Sequence, residues 1–158
     1  MRTLKYVRID ERLIHGQVLM KWLKERNLNR IVIVDDMLQE NPIIQSVMRR
    51  SVPKECAMEV YSCSEAGEEL RGQEMKAEAL MLVRDLPVLR YLEEEGIRFE
   101  EINIARMPYS TGRDKICDQI YMDKGEQDMI RNYLRKGSEV YVQMVPDSEK
   151  RWLKDLLD

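Results

Sequence analysis

Short runs dense in aliphatic residues alternate along the chain with longer stretches whose apolar positions recur every three or four residues. Leu4–Ile9 (LKYVRI) predicts a first strand, and Gly16–Glu25 a helix with Val18, Leu19, Trp22 and Leu23 at helical spacing. Arg26–Arg30 is a polar turn before a strand at Ile31–Asp35 (IVIVD). Asn41 before Pro42 has the form of a helix N-cap with proline at the first helical position. The alternation continues with a strand at Ala57–Ser62, a helix from Ser64, a strand at Ala79–Val83 and a helix at Pro87–Glu95 stopped by Gly96. Strands at Phe99–Ile104 and Lys115–Met122, a helix at Gly125–Lys136, a strand at Glu139–Val145 and a helix at Ser148–Leu157 complete the pattern.

A strand that is apolar on both faces needs helices on both faces. The fold class this predicts is α/β: an open, mostly parallel, doubly wound sheet of about seven strands with helices on either side. Ligands of such sheets bind beyond the carboxyl ends of the strands, where strand order reverses. The loop after the first strand is therefore the default site.

Composition narrows the classes. A chain of 158 residues lies within the roughly 100–200 residues of one domain, and 1–158 is read as a single domain. Apolar residues at 44% and charged residues at 35%, with only 7 glycines and 5 prolines, fit a packed core under a charged skin and exclude collagen-like and disordered classes. The longest unbroken apolar run, Ala79–Val83, is far short of the ~20 residues that span a bilayer. The first ten residues resemble no secretory leader. Cys56, Cys63 and Cys117, odd in number and widely spaced, read as reduced thiols of a cytoplasmic protein. A net charge of −3 disfavours nucleic acid as a partner, and neither a G-x-G-x-x-G fingerprint nor a P-loop lysine motif is present. The single histidine excludes a zinc site built on several imidazoles; no metal and no cofactor is expected.

That histidine lies in Arg8-Ile9-Asp10-Glu11-Arg12-Leu13-Ile14-His15-Gly16-Gln17-Val18, which leaves a strand and enters a helix. Free backbone N–H groups and the positive end of the helix dipole favour an anion there. Gly16 gives the backbone room to approach whatever His15 carries, and the preceding arginines can grip phosphate through paired hydrogen bonds. A neutral imidazole is a competent nucleophile toward phosphorus near pH 7. In phosphoryl transfer the protein chiefly positions and neutralises. Asp10 has two jobs open to it: orienting the His15 ring or tethering an arginine. Arg8, inside a buried strand, calls for a carboxylate partner, with Asp10, Asp35 and Asp36 as the choices. Trp22 reads as core.

The string RIDERLIHGQV, with Trp22 seven residues after His15, resembles the hallmark of the enzyme IIB component of the mannose/fructose/sorbose family of the sugar phosphotransferase system. The likeness extends over Ile31–Asp36 with Asn41-Pro42, Leu82–Leu92, Asn103 and the closing VQMVPDSE. It implies a cytoplasmic phosphocarrier, peripherally associated with the membrane transporter complex. His15 would accept a phosphoryl group from the phosphohistidine of the IIA component and transfer it to a sugar delivered by the IIC and IID membrane components. By the same likeness Asp10 and Arg12 take the flanking polar positions, and Arg8, Gly16 and Gln17 match the motif as phosphate-binding or orienting residues. Association with a second copy of the chain is left open.

One segment departs from the family pattern. Where the family shows Asn-Val/Ile-Gly-Gly-Met-His, this chain reads Asn103-Ile104-Ala105-Arg106-Met107-Pro108. That departure supports an alternative: a regulatory or interaction module of the same fold that senses phosphotransferase state without feeding sugar transport.

Overall fold

The structure, a computed structural model, describes residues 2–72 and 78–157. Its main sheet has seven strands in the order β3-β2-β4-β1-β5-β8-β9. These are β1 (Arg2–Asp10), β2 (Arg30–Val34), β3 (Ala57–Tyr61), β4 (Leu80–Val83), β5 (Ile97–Arg106), β8 (Glu139–Val142) and β9 (Arg151–Trp152). All pair in parallel except β9, which is antiparallel to β8.

The all-apolar strands explain the two layers of helix. Ile31 and Ile33 of β2 with Leu80 and Leu82 of β4 pack beneath Leu19, Trp22 and Leu23 of α1 (Gly16–Glu25). Val32, Val34, Met81 and Val83 point the other way, onto Ala66 and Leu70 of α4 (Cys63–Gly72) and Leu86, Leu89 and Leu92 of α5 (Leu86–Glu94). On that second face lie also Ile130 and Tyr133 of α6 (Lys124–Arg135). Two short helices share the α1 face: α2 (Asp36–Gln39), whose first turn is capped by Asp35 accepting from the Leu38 N–H at 3.0 Å, and α3 (Pro42–Arg50), capped as predicted by Asn41. Gly96, at φ +92, ends α5 in a conformation that only glycine adopts without strain.

Two expectations are corrected. Lys115–Met122 is a hairpin, not one strand. The Asp118-Gln119 pair, with Gln119 at φ +66, turns β6 (Asp114–Cys117) back on β7 (Ile120–Met122) as a separate antiparallel ribbon. The segment Ser148–Leu157 is not one helix either. Trp152 extends into β9 so that its ring packs edge-on against Tyr141, centroids 5.7 Å apart, leaving only the short α7 (Leu153–Leu156). Burial of two aromatic faces outweighs the weak preference of a short helix. Strand β8 also stops three residues early, because the carbonyls of Gln143 and Met144 turn inward to accept from side chains of β1 and α1.

The strand order positions the site. After β1 the chain enters α1 on one face; after the adjacent β4 it enters α5 on the other. The loops therefore leave toward opposite faces at the carboxyl ends of β1 and β4, the switch point of a doubly wound sheet. Among the described residues no helix is long and apolar enough to cross a membrane.

Candidate functional site

Strand β1 ends in alternation: Val7 and Ile9 enter the core on the α5 face, so Arg8 points toward α1 and Trp22. Arg8 is only 3% exposed. Its guanidinium donates to the Asn103 side-chain oxygen, to the Gln143 carbonyl at 3.3 Å and to the Met144 carbonyl at 3.1 Å, and lies 5.5 Å from the Trp22 ring centre. The Trp22 indole N–H donates to the same Met144 carbonyl at 2.9 Å. Burial pushes the Arg8 pKa down to about 10, so the group stays charged at neutral pH. The expected carboxylate partner is not there. Asp10 is taken by Arg12, Asp35 by Arg84, and Asp36 accepts from the Cys63 amide. Neutral oxygens from β5 and the end of β8 satisfy the cation instead.

The Asp10 carboxylate, buried, is spent on Arg12. One oxygen accepts from the Arg12 amide and Nε, both at 3.0 Å, and the other from Nη2 at 2.9 Å. Of the two jobs open to Asp10, the geometry gives it the arginine. This two-pronged grip fixes the plane of a partly exposed guanidinium whose Nη1 has no hydrogen-bond acceptor among the described residues. The Leu13 N–H donates to the Asp10 carbonyl at 2.9 Å, closing a tight turn with Leu13 at φ +58. A left-handed leucine costs on the order of 1–2 kcal/mol; burial of its side chain beside Leu19 and Leu38 holds it there.

His15 emerges from this turn at the N-cap of α1, exposed, with its carbonyl accepting from the Leu19 amide at 2.9 Å. Its ring caps nothing, and the first turn of α1 carries no acidic side chain. The amides at the start of the helix therefore face outward without an intrahelical acceptor. Gly16 is the first helical residue. A Cβ there would meet the Ser51 carbonyl at 3.5 Å, an ordinary contact, so packing against the protein does not itself demand glycine. Gln17 stands exposed beside it. The structure thus gathers His15, Gly16, Gln17, Arg12 and Asp10 at one strand-to-helix junction and sets Arg8 beneath them.

Two cations complete the rim. Arg84, just past β4, donates to both Asp35 oxygens at 3.1 and 3.2 Å and to the Glu11 carbonyl at 2.8 Å. It ties the loops after β1, β2 and β4 together. Sequence reasoning missed it, although an arginine directly after the apolar run Leu80–Val83 marks a strand's carboxyl end. Arg106, at the end of β5 and in register with Asp10, forms a 2.6 Å ion pair with the Glu11 carboxylate. The three cysteines are free, and burial pushes their thiols up, Cys63 to about 11; thiolate chemistry is therefore disfavoured at neutral pH.

Fold and site together define an α/β domain that presents an exposed histidine at a helix start beside a topological switch point. Comparison with known proteins makes the class specific. The profile of the PTS system sorbose subfamily IIB component matches residues 4–158, and the chain belongs to that family of sugar phosphotransferase-system components. The N-acetylgalactosamine-specific phosphotransferase enzyme IIB component 1 of Escherichia coli (strain K12) is 28% identical over 149 residues, 94% of each chain. The mannose-specific EIIAB component of the same organism is 25% identical over 151 residues, 95% of this chain. This chain spans about half, 47%, of that relative's length. The crystal structure of manxB from Thermoanaerobacter tengcongensis superposes with a TM-score of 0.85 at 26% identity, covering 96% of this chain and 93% of that one.

Proposed function

We propose that His15 is a transient phosphoryl carrier of a single domain spanning 1–158. A ring nitrogen of His15 attacks the phosphorus of a phosphohistidine on the IIA component; a new N–P bond forms as the donor N–P bond breaks. The His15 N–P bond then breaks as an O–P bond forms to a hydroxyl of a sugar delivered by the IIC and IID components, and the hydroxyl proton passes to the ring nitrogen that the phosphoryl group leaves. Arg12 and the first amides of α1, from Gly16 and Gln17, neutralise the transferred charge, Asp10 fixes the Arg12 plane, and Arg8 holds the end of β1 in place beneath the loop. The donor is itself a protein phosphohistidine, so the reaction calls for no metal or nucleotide. On this reading the chain works in the cytoplasm, docked on the membrane components.

The observation that carries the reading is an exposed histidine, its ring spent on no cap, at an acid-free helix start three residues after an arginine held in plane by a buried carboxylate. Incubation with phosphoenolpyruvate, the general phosphotransferase proteins and a matching IIA component is expected to label the parent and not His15→Ala. Equal labelling of the two would remove His15 as the carrier. Phosphorus NMR of the labelled chain identifies the residue class and the ring nitrogen. Formation of sugar phosphate with matched membrane components separates the carrier from a purely regulatory module, the reading that the Arg106–Glu11 pair in place of the family's glycines favours.

A further inference from the structure

Helix α3 is amphipathic and leaves most of its apolar side chains facing outward. None of its residues is fully buried. Its inward side packs Met48 against the core on the α1 face and is otherwise polar: Gln45 donates to the Leu38 and Gln39 carbonyls at 2.7 and 3.1 Å, and Arg49 to the carbonyls of Val52, Pro53 and Lys54 at 3.3 Å. Its apolar side faces solvent, with Ile43 76% exposed, Val47 56% exposed and Ile44 between them. Met37 of α2, which packs on α3, adds a further exposed apolar side chain. A helix normally turns its apolar stripe toward the core. A contiguous apolar patch left outside marks an interaction surface.

The charges at the ends of the stripe point to the occupant. Glu40 precedes the helix and Arg50 ends it; both are exposed, and neither forms an ion pair among the described residues. Residues 43, 47 and 50 share one helical face. Two copies of the stripe laid antiparallel about a two-fold axis level with residue 45 set Glu40 against Arg50 and Ile43 against Val47, each pair twice. Acidic, apolar and basic positions are then matched along the whole contact, as an isologous interface requires. We infer that the α3 face is a self-association surface, and that its occupant is a second copy of this chain seated antiparallel through Ile43, Ile44 and Val47.

A contact centred on one nine-residue helix falls at the small, weak end of interface sizes, so micromolar association is expected. Sedimentation equilibrium of the parent from roughly 1 μM to 1 mM is expected to show the mass rise from 18.8 kDa toward twice that value. Val47→Glu, at an exposed position, keeps the parent's melting temperature and stays monomeric throughout. Glu40→Lys and Arg50→Glu each weaken association about tenfold, because like charges then meet at both ends of the contact, and the double variant restores it. A parent that is monomeric at 1 mM overturns the inference, as does a dimer that Val47→Glu leaves intact or that the double charge swap does not rescue. If the parent is monomeric and Val47→Glu instead slows phosphorylation of His15 by the IIA component, the face belongs to the phosphodonor and the inference is also overturned. None of these masses depends on whether His15 carries phosphate.

Discussion

Replacing Arg8 by methionine and by alanine separates what its charge contributes from what its volume contributes. The fall of the guanidinium pKa to about 10 means that burial disfavours the charged form by about 3 kcal/mol, the nearby charges of Asp10, Arg12 and Tyr141 included. Methionine removes that penalty while keeping an unbranched apolar side chain in the space. It leaves the Asn103 side-chain oxygen without its donor, at about 1–3 kcal/mol. The two carbonyls fare better: Gln143 still accepts from the Asn103 amide at 3.0 Å and Met144 from Trp22 at 2.9 Å. Gain and loss nearly cancel, so Arg8→Met is expected within about 2 kcal/mol of the parent in urea unfolding. Alanine opens a cavity as well and is expected about 2–5 kcal/mol below methionine, with melting lowered by roughly 2–4 °C for each kcal/mol. Equal stability of the methionine and alanine variants would refute the enclosure of this side chain. A methionine variant more than about 4 kcal/mol below the parent would refute the balance just drawn and make the buried cation a net stabiliser.

Three further outcomes follow from the geometry. Arg12→Ala loses a charge-assisted phosphate contact of about 1.5–3 kcal/mol and is expected to slow labelling of His15 tenfold to a hundredfold in a rapid-quench assay, with the circular dichroism spectrum unchanged. Trp22→Phe keeps the ring under α1 but loses the indole bond to Met144, and should cost about 0.5–1.5 kcal/mol of unfolding free energy, since Arg8 still donates to that carbonyl. Hydrogen bonds from Arg30 hold the Glu59 carboxyl below its ordinary value of 4.5. Its contribution is therefore complete above the unfolded value and lost as pH falls through the folded one; Glu59→Gln should flatten the acid limb of a pH–stability curve below about pH 4.5.

How much of this was legible in the sequence differs by element. The strands Ile31–Val34 and Leu80–Val83 are apolar at every position, and that continuity announces helices on both faces. Asn41-Pro42 states its cap outright, and the structure places the Asn41 oxygen 3.3 Å from the Ile44 amide. The hairpin at Asp114–Met122 was hidden because its turn, Asp118-Gln119, contains neither glycine nor proline. At the site, Asp10 and Arg12 lie two residues apart, so their pairing is nearly local. The acceptors of Arg8 lie 95 to 136 positions away, and Asp35 lies 49 from Arg84. No pattern along a chain ranks partners at such separations.

The linear order of residues by itself determined the class of fold, the strand-to-helix junction that carries His15 and the family to which the loop is similar. These depend on interactions within a few residues: periodic burial, a cap, a turn, a short signature. Tertiary structure alone decided which oxygens hold Arg8, that Arg84 and Arg106 close on Glu11 from the neighbouring strands, and that α3 wears its apolar side outward. Each of those depends on which strands become neighbours in the sheet, and that order is chosen by the packing of the whole core rather than by any segment of it.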